Sequence, residues 1–233
     1  MIFRLTIALA AGMITLPAPA EEEVPAPERP AVTKIGETRY RLGEIEFDAK
    51  SREIHLPVTV NMREGGPIEY VLVHENGKTH ESVFTTKVSP LHLQIAMKLL
   101  KYKAGFGDLF NRILAPEILE KEGGKIEDRG EEIQVHYLEE GKKEAIPVSE
   151  TIIDGGRAEP MSDEPWIFTG SKVEEGTFMA EAEGSIIAIY LDNLALLNMS
   201  REGSDNDDRW GANSKAIPEI GVKGILILSP AKK

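Results

Sequence analysis

The side chains best suited to proton transfer or metal binding near neutral pH are five histidines: His55, His74, His80, His92 and His136. His74, His80 and His92 fall close together in the chain, with Glu81 between the last two. Imidazole nitrogens beside a carboxylate are the donor set of a zinc-type site. Within Ile68–Phe84, Asn76-Gly77 is the preferred dipeptide of a two-residue hairpin turn, because both positions need positive φ. In that register His74 faces Thr79 and His80 faces Val73, so the two imidazoles point to opposite faces, while His74 and Glu81 share one. Three uses of the His74–Glu81 pair stay open: a buried polar contact, half of a metal site, or an acid–base pair. His92, in the first turns of a helix, reads as interfacial or exposed. His74, His80 and Glu81 are the candidate binding residues, and no catalytic residue is assigned.

A second group, Asp205, Asp207 and Asp208, places oxygen donors in one loop, as calcium requires, but lacks the glycine and the distant glutamate of a helix-loop-helix site. It reads either as a metal candidate or as a solvated acidic turn. Trp166 and Trp210 adjoin polar loops and could floor a sugar site or anchor the core. Asn198-Met199-Ser200 fits a glycosylation sequon. Other chemistries are excluded. Gly77-Lys78-Thr79 resembles the tail of a phosphate loop, but Leu72 stands where that motif needs glycine. Gly105-Phe106-Gly107 lacks the third glycine of a dinucleotide fingerprint and follows a helix. The chain has no cysteine, which removes disulfides, thiolate nucleophiles, iron–sulfur clusters and Cys-ligated zinc. No pattern calls for a cofactor.

The elements that would carry these residues are mostly strands. Ile45 and Phe47, a turn at Asp48-Ala49-Lys50-Ser51, and Ile54, Leu56, Val58 and Val60 predict a hairpin with one buried face. Arg63 to Pro67 breaks the chain before the Asn76-Gly77 hairpin. Ser89-Pro90 opens a helix over about 90–102, and a short helix is expected at 115–122. Strands follow around 133–137, 145–153, 166–169, 177–182, 185–191 and 222–228. Ile186 to Leu191, apolar on both faces, reads as a central strand. The fold class is α+β, mainly β: antiparallel hairpins with one firm helix packed on the sheet.

At the N-terminus, Arg4, an apolar run from Leu5 to Leu16 and Ala18-Pro19-Ala20 make a cleavable export signal over residues 1–20, too short for the roughly 20 residues of a membrane-spanning helix. Residues 21–39 read as a disordered Pro/Glu-rich linker, and 40–233 as a single domain. The formal charge of −12 opposes nucleic acid or anionic lipid as partners. The expected location is the periplasm or beyond, with no membrane span in the mature chain.

Asn61-Met62-Arg63-Glu64-Gly65, Ile68-Glu69-Tyr70, Asn76 to Ser82 and Ser89-Pro90-Leu91-His92 resemble the YdjY-type family of exported bacterial proteins. Trp166 to Ser171, Gly184 to Ala188 and Asp207-Asp208-Arg209-Trp210 extend the resemblance over residues 40–233. It implies one domain and maps that family's Gly-Lys-x-His-Glu segment onto Gly77, Lys78, His80 and Glu81, without a chemical role. Together these readings lead to an exported, non-enzymatic domain that binds a small ligand or an envelope protein. The alternative is a metal-assisted hydrolase using the His74/His80/Glu81 region.

Overall fold

The computed structural model describes residues 31–105, 121 and 129–232. The expected export signal, residues 21–30 of the expected linker and, apart from Lys121, the stretch 115–122 expected as a helix lie outside the described residues. Sheet pairing begins inside the stretch read as a linker, since β1 (Val32–Lys34) pairs with β2 (Arg39–Leu42). β2 pairs with β3 (Ile45–Asp48), and β3 forms the expected antiparallel hairpin with β4 (Ile54–Val60). β5 (Tyr70–His74), β6 (Ser82–Thr86), β7 (Glu132–Glu139), β8 (Ile146–Pro147), β9 (Ile152–Asp154) and β10 (Glu159–Pro160) follow. The remaining strands are β11 (Trp166–Phe168), β12 (Val173–Glu174), β13 (Thr177–Phe178), β14 (Ser185–Ala188), β15 (Leu197–Met199), β16 (Trp210–Ala212) and β17 (Lys223–Pro230). Between them stand, among the described residues, the short helices α1 (Pro90–Leu99) and α2 (Met179–Glu183).

Alternating apolar residues give β4, β7 and β17 one buried face each, and that face curls into a cylinder. β4, β17, β7, β11, β15, β14, β5 and β6 pair in that order, and β6 returns to β4 through Thr59↔Thr85 and Val60↔Phe84. Eight strands enclose a lumen just wide enough for side chains to fill. Register lines up Leu56, Leu226 and Tyr137 across three neighbouring strands, and the Tyr137 ring packs on Phe84 at 4.7 Å between centroids. Gly224 makes this possible: a Cβ there would lie 2.4 Å from the Tyr137 ring. Burial raises the Tyr137 phenol to about 12.

The expected open sheet with a helix packed on it is thereby corrected. Mainly β holds, but the sheet closes on itself, and two neighbouring pairs, β5–β6 and β14–β15, are parallel. The helix lies over one end of the barrel instead of on a sheet face. Ser89 caps it, its Oγ accepting from the His92 N–H at 3.3 Å, and the Glu181 carboxylate of α2 adds an anion at the helix start, accepting from Ser89 Oγ and Leu91 N. The helix stops at Leu99, because Lys101 turns into positive φ. Leu93, Ala96 and Met97 are fully buried in the same core as the barrel lumen. Gln94 Nε2 donates to the Gly170 carbonyl just beyond β11, and Arg52 Nε, from the β3–β4 turn, donates to the Leu100 carbonyl.

Two further expectations fail for local reasons. Residues 177–182 are not a continuous strand: after β13 the chain forms α2, which ends on Gly184 at φ 71. Asn76-Gly77 is not a hairpin turn, and neither residue has positive φ. Gly77 is needed for close approach instead, since a Cβ would meet the Glu183 carbonyl at 3.0 Å. The segment after His74 therefore crosses the end of α2 and runs back along the barrel, so that β6 starts beside the start of β5 (Tyr70↔Ser82).

Candidate functional site

That crossover decides where the candidate residues go. A strand rises about 3.3 Å per residue, so the first and last residues of β5 stand about 13 Å apart. His74 ends β5, at the barrel end covered by α1; its backbone N–H donates to Gly184 and its Nδ1 accepts from Asn76 N at 3.2 Å. His80 and Glu81 sit in a 3-10 turn (Thr79–Glu81) at the opposite end. His74 thus shares neither a face nor an end with Glu81. His80 is exposed, with Nε2 3.8 Å from Glu81 Oε2. His92 lies on α1 against Gly43. His55 and His136 lie half-buried on the outward side, either side of Ile227. Among the described residues no three His, Asp or Glu side chains are grouped to hold a metal.

The other candidates also separate. Asp205, Asp207 and Asp208 are exposed along their loop. Trp166 packs into the barrel core, and Trp210 is buried with its Nε1 donating to the Gly203 carbonyl at 2.9 Å. Neither indole offers an open platform. Asn198 of the sequon is fully buried in β15, its Nδ2 donating to Thr169 Oγ1 and the Asp192 carbonyl.

A network in which the sequence assigned no joint role to any member ties the crossover down. Lys78 Nζ donates to Tyr70 Oη at 2.8 Å and sits 5.1 Å from the centre of the same ring. Tyr70 Oη donates to Asp192 Oδ2 at 2.8 Å. Asp192 Oδ1 accepts from Leu194 N, and its backbone N–H donates to Asn198 Oδ1. The chain Lys78–Tyr70–Asp192–Asn198–Thr169 thus joins the crossover to the loop after β14 and to β15. Burial, reinforced by Asp192, drives the Tyr70 phenol well above its ordinary range, so it stays a donor. Beside it Glu69, half-buried, is raised by burial first and then by Glu81, with Lys78 opposing. The only signal for this network was the polar residue types in Asn76 to Ser82.

At the His80 end, Asn61 Nδ2 donates to the carbonyls of Thr79 (2.6 Å) and Ser82 (2.8 Å) and fixes the turn. There His80, Thr79, Asn61, Arg63, Glu64 and Glu219 line an open hollow of about 540 Å³. Arg63 is held by Glu219 and by the Ser214 carbonyl. Met62 and exposed Ile220 complete its lining, so the hollow is open and of mixed polarity, and can receive a side chain or a short segment. Comparison with protein-family models, with curated proteins and with solved structures returned no match.

Proposed function

We propose that this is an exported, non-enzymatic domain that binds a partner protein of the envelope through the His80 end of the barrel. One observation carries the reading: the lumen is filled by side chains such as Leu56, Tyr137 and Leu226, while a rigidly backed hollow opens outside it beside exposed His80. His74 stands at the barrel end opposite His80 and Glu81, which weighs against the hydrolase alternative, because three ligands must converge on one ion. Apolar residues point inward and His55, Gln134 and His136 outward, the reverse of a membrane-spanning barrel, which suits a domain working in an aqueous envelope. Among the described residues no helix is long and apolar enough to cross a membrane. Kinship with the YdjY-type family belongs to the same proposal.

The test is site-specific photo-crosslinking in envelope preparations, with the reactive group at position 80 or, as a control, at Lys50 in the β3–β4 turn at the other barrel end. A discrete adduct at 80, absent at 50 and diminished by Glu64→Lys, is expected. Equal labelling at both positions, or none at 80, overturns the reading.

A further inference from the structure

A cleft away from the His80 hollow carries a charge arrangement that its own residues do not complete. Between β9, β10 and the loop after β15, Asp154, Arg157, Glu164, Arg201 and Arg209 line a cavity of about 300 Å³ with Trp210 in its wall. Arg209 is fully engaged: Nε and Nη2 donate to the two Asp154 oxygens at 3.1 and 2.7 Å, and its guanidinium lies over Trp210. This bidentate bond holds the Asp154 carboxyl below its usual range.

Arg201 is not engaged in that way. Its side chain is 4% exposed, with the guanidinium 5.2 Å above the Trp166 ring. Nη1 meets the Met161 sulfur and Nη2 donates to the Glu164 carbonyl, both uncharged acceptors. Nε has no hydrogen-bond partner among the described residues; the nearest carboxylate oxygen, Glu164 Oε2, stands 4.0 Å away on a side chain that is 53% exposed. Burial lowers the Arg201 pKa to about 10, so the neighbouring acids do not compensate the desolvation. A buried cation costs several kcal/mol unless an anion meets it with good geometry. Of the four acids lining the cleft, Asp154 is buried and already taken by Arg209, whereas Glu159, Glu164 and the 84%-exposed Glu202 are exposed at the rim. Arg157, largely exposed at the mouth, stands 3.7 Å from Asp154 Oδ2, a carboxylate oxygen it shares with Arg209 and at a distance too long for a hydrogen bond.

We propose that the cleft is a binding site for a small carboxylate, which Arg201 and Arg157 receive in the place the Glu164 carboxylate now approaches. Glu164 acts as an internal stand-in: it shares the ligand's chemistry, sits too far away to hydrogen bond, and is exposed enough to swing out. A guanidinium fork matches a planar carboxylate in two parallel hydrogen bonds. The volume lies at the small end of ligand pockets, which fits an acid of a few carbons.

The experiment is calorimetric titration of the mature chain with succinate at fixed ionic strength, with inorganic phosphate and chloride as comparison anions. Saturable binding of succinate is expected, tightened about tenfold by Glu164→Gln, which removes the competing carboxylate, and weakened several-fold by Arg157→Gln. Arg157→Gln is the informative loss, because its exposed side chain leaves the urea midpoint in place, whereas Arg201→Gln could act through folding. No saturable heat with wild type or Glu164→Gln, or equal binding of all three anions, overturns the proposal. So does succinate binding that neither substitution changes.

Discussion

Removing the Tyr70 hydroxyl tests whether the crossover is held by the polar chain described above. Tyr70→Phe keeps the ring, and with it the Lys78 cation's contact with the π face, and deletes one oxygen that both accepts from Lys78 and donates to Asp192, each at 2.8 Å. A hydrogen bond to a charged group contributes about 1.5–3 kcal/mol when its partner is left unsatisfied. Lys78 and Asp192 are both only partly buried, so water replaces part of each bond and the net loss is about 1–2 kcal/mol. For a domain of this size that corresponds to a fall in Tm of about 2–8 °C. Urea unfolding of Tyr70→Phe, Asp192→Asn and the double variant measures it. Because both substitutions break the same bond, the double variant is expected to lose less than the sum of the singles, by about 1 kcal/mol. A Tyr70→Phe midpoint indistinguishable from wild type, or strictly additive losses, would refute the idea that this chain anchors the crossover.

Gly224→Ala drives a methyl into the Tyr137 ring, and a loss of about 1–3 kcal/mol with an altered near-ultraviolet tyrosine signal is expected. Leu226→Ala, opposite Leu56 and Tyr137 in the lumen, should cost about 2–5 kcal/mol by urea unfolding at unchanged secondary structure. Asp154 has its folded-state pKa depressed, first by the Arg209 hydrogen bonds, so its contribution is complete above the ordinary carboxyl value of about 3.9 and disappears as pH falls through the folded value. Urea midpoints followed into acid should therefore fall less steeply in Asp154→Asn than in wild type. Chelation of the purified chain, followed by zinc, calcium or manganese addition, is expected to leave Tm unchanged; a shift would reinstate a metal site.

Local pattern carried local structure. The β3–β4 hairpin follows from alternation around the turn at Asp48 to Ser51, and the start of α1 from Ser89-Pro90. Closure of the barrel did not show, because it depends on Val60 meeting Phe84 and on β17 entering between β4 and β7, pairings that periodicity does not encode. Asn76-Gly77 misled for a physical reason: glycine serves positive φ and close approach alike, and here Gly77 is packed against Glu183 and Gly184. Once that turn was assigned, the faces assigned to His74, His80 and Glu81 followed wrongly. Gly184 stands where a helix C-cap behind Met179 to Glu183 needs positive φ, a signal that the strand expected over 177–182 passes over. Lys78 and Tyr70 stood in view as residue types; Asp192 joins them only through the fold.

The position of β17 has a consequence for how the chain acquires its structure. A polypeptide emerges N-terminus first, and the strand that separates β4 from β7 is the last of the described strands to appear. Until residues 223–230 arrive, β4 and β7 each present an unpaired edge along much of their length, and nothing earlier in the described chain occupies the gap. An unpaired edge is a template for another molecule's strand. A chain cut short before Lys223 is therefore not a slightly smaller barrel but an open one, prone to join its neighbours, and the growing chain must be kept from doing so until residues 223–230 slide home.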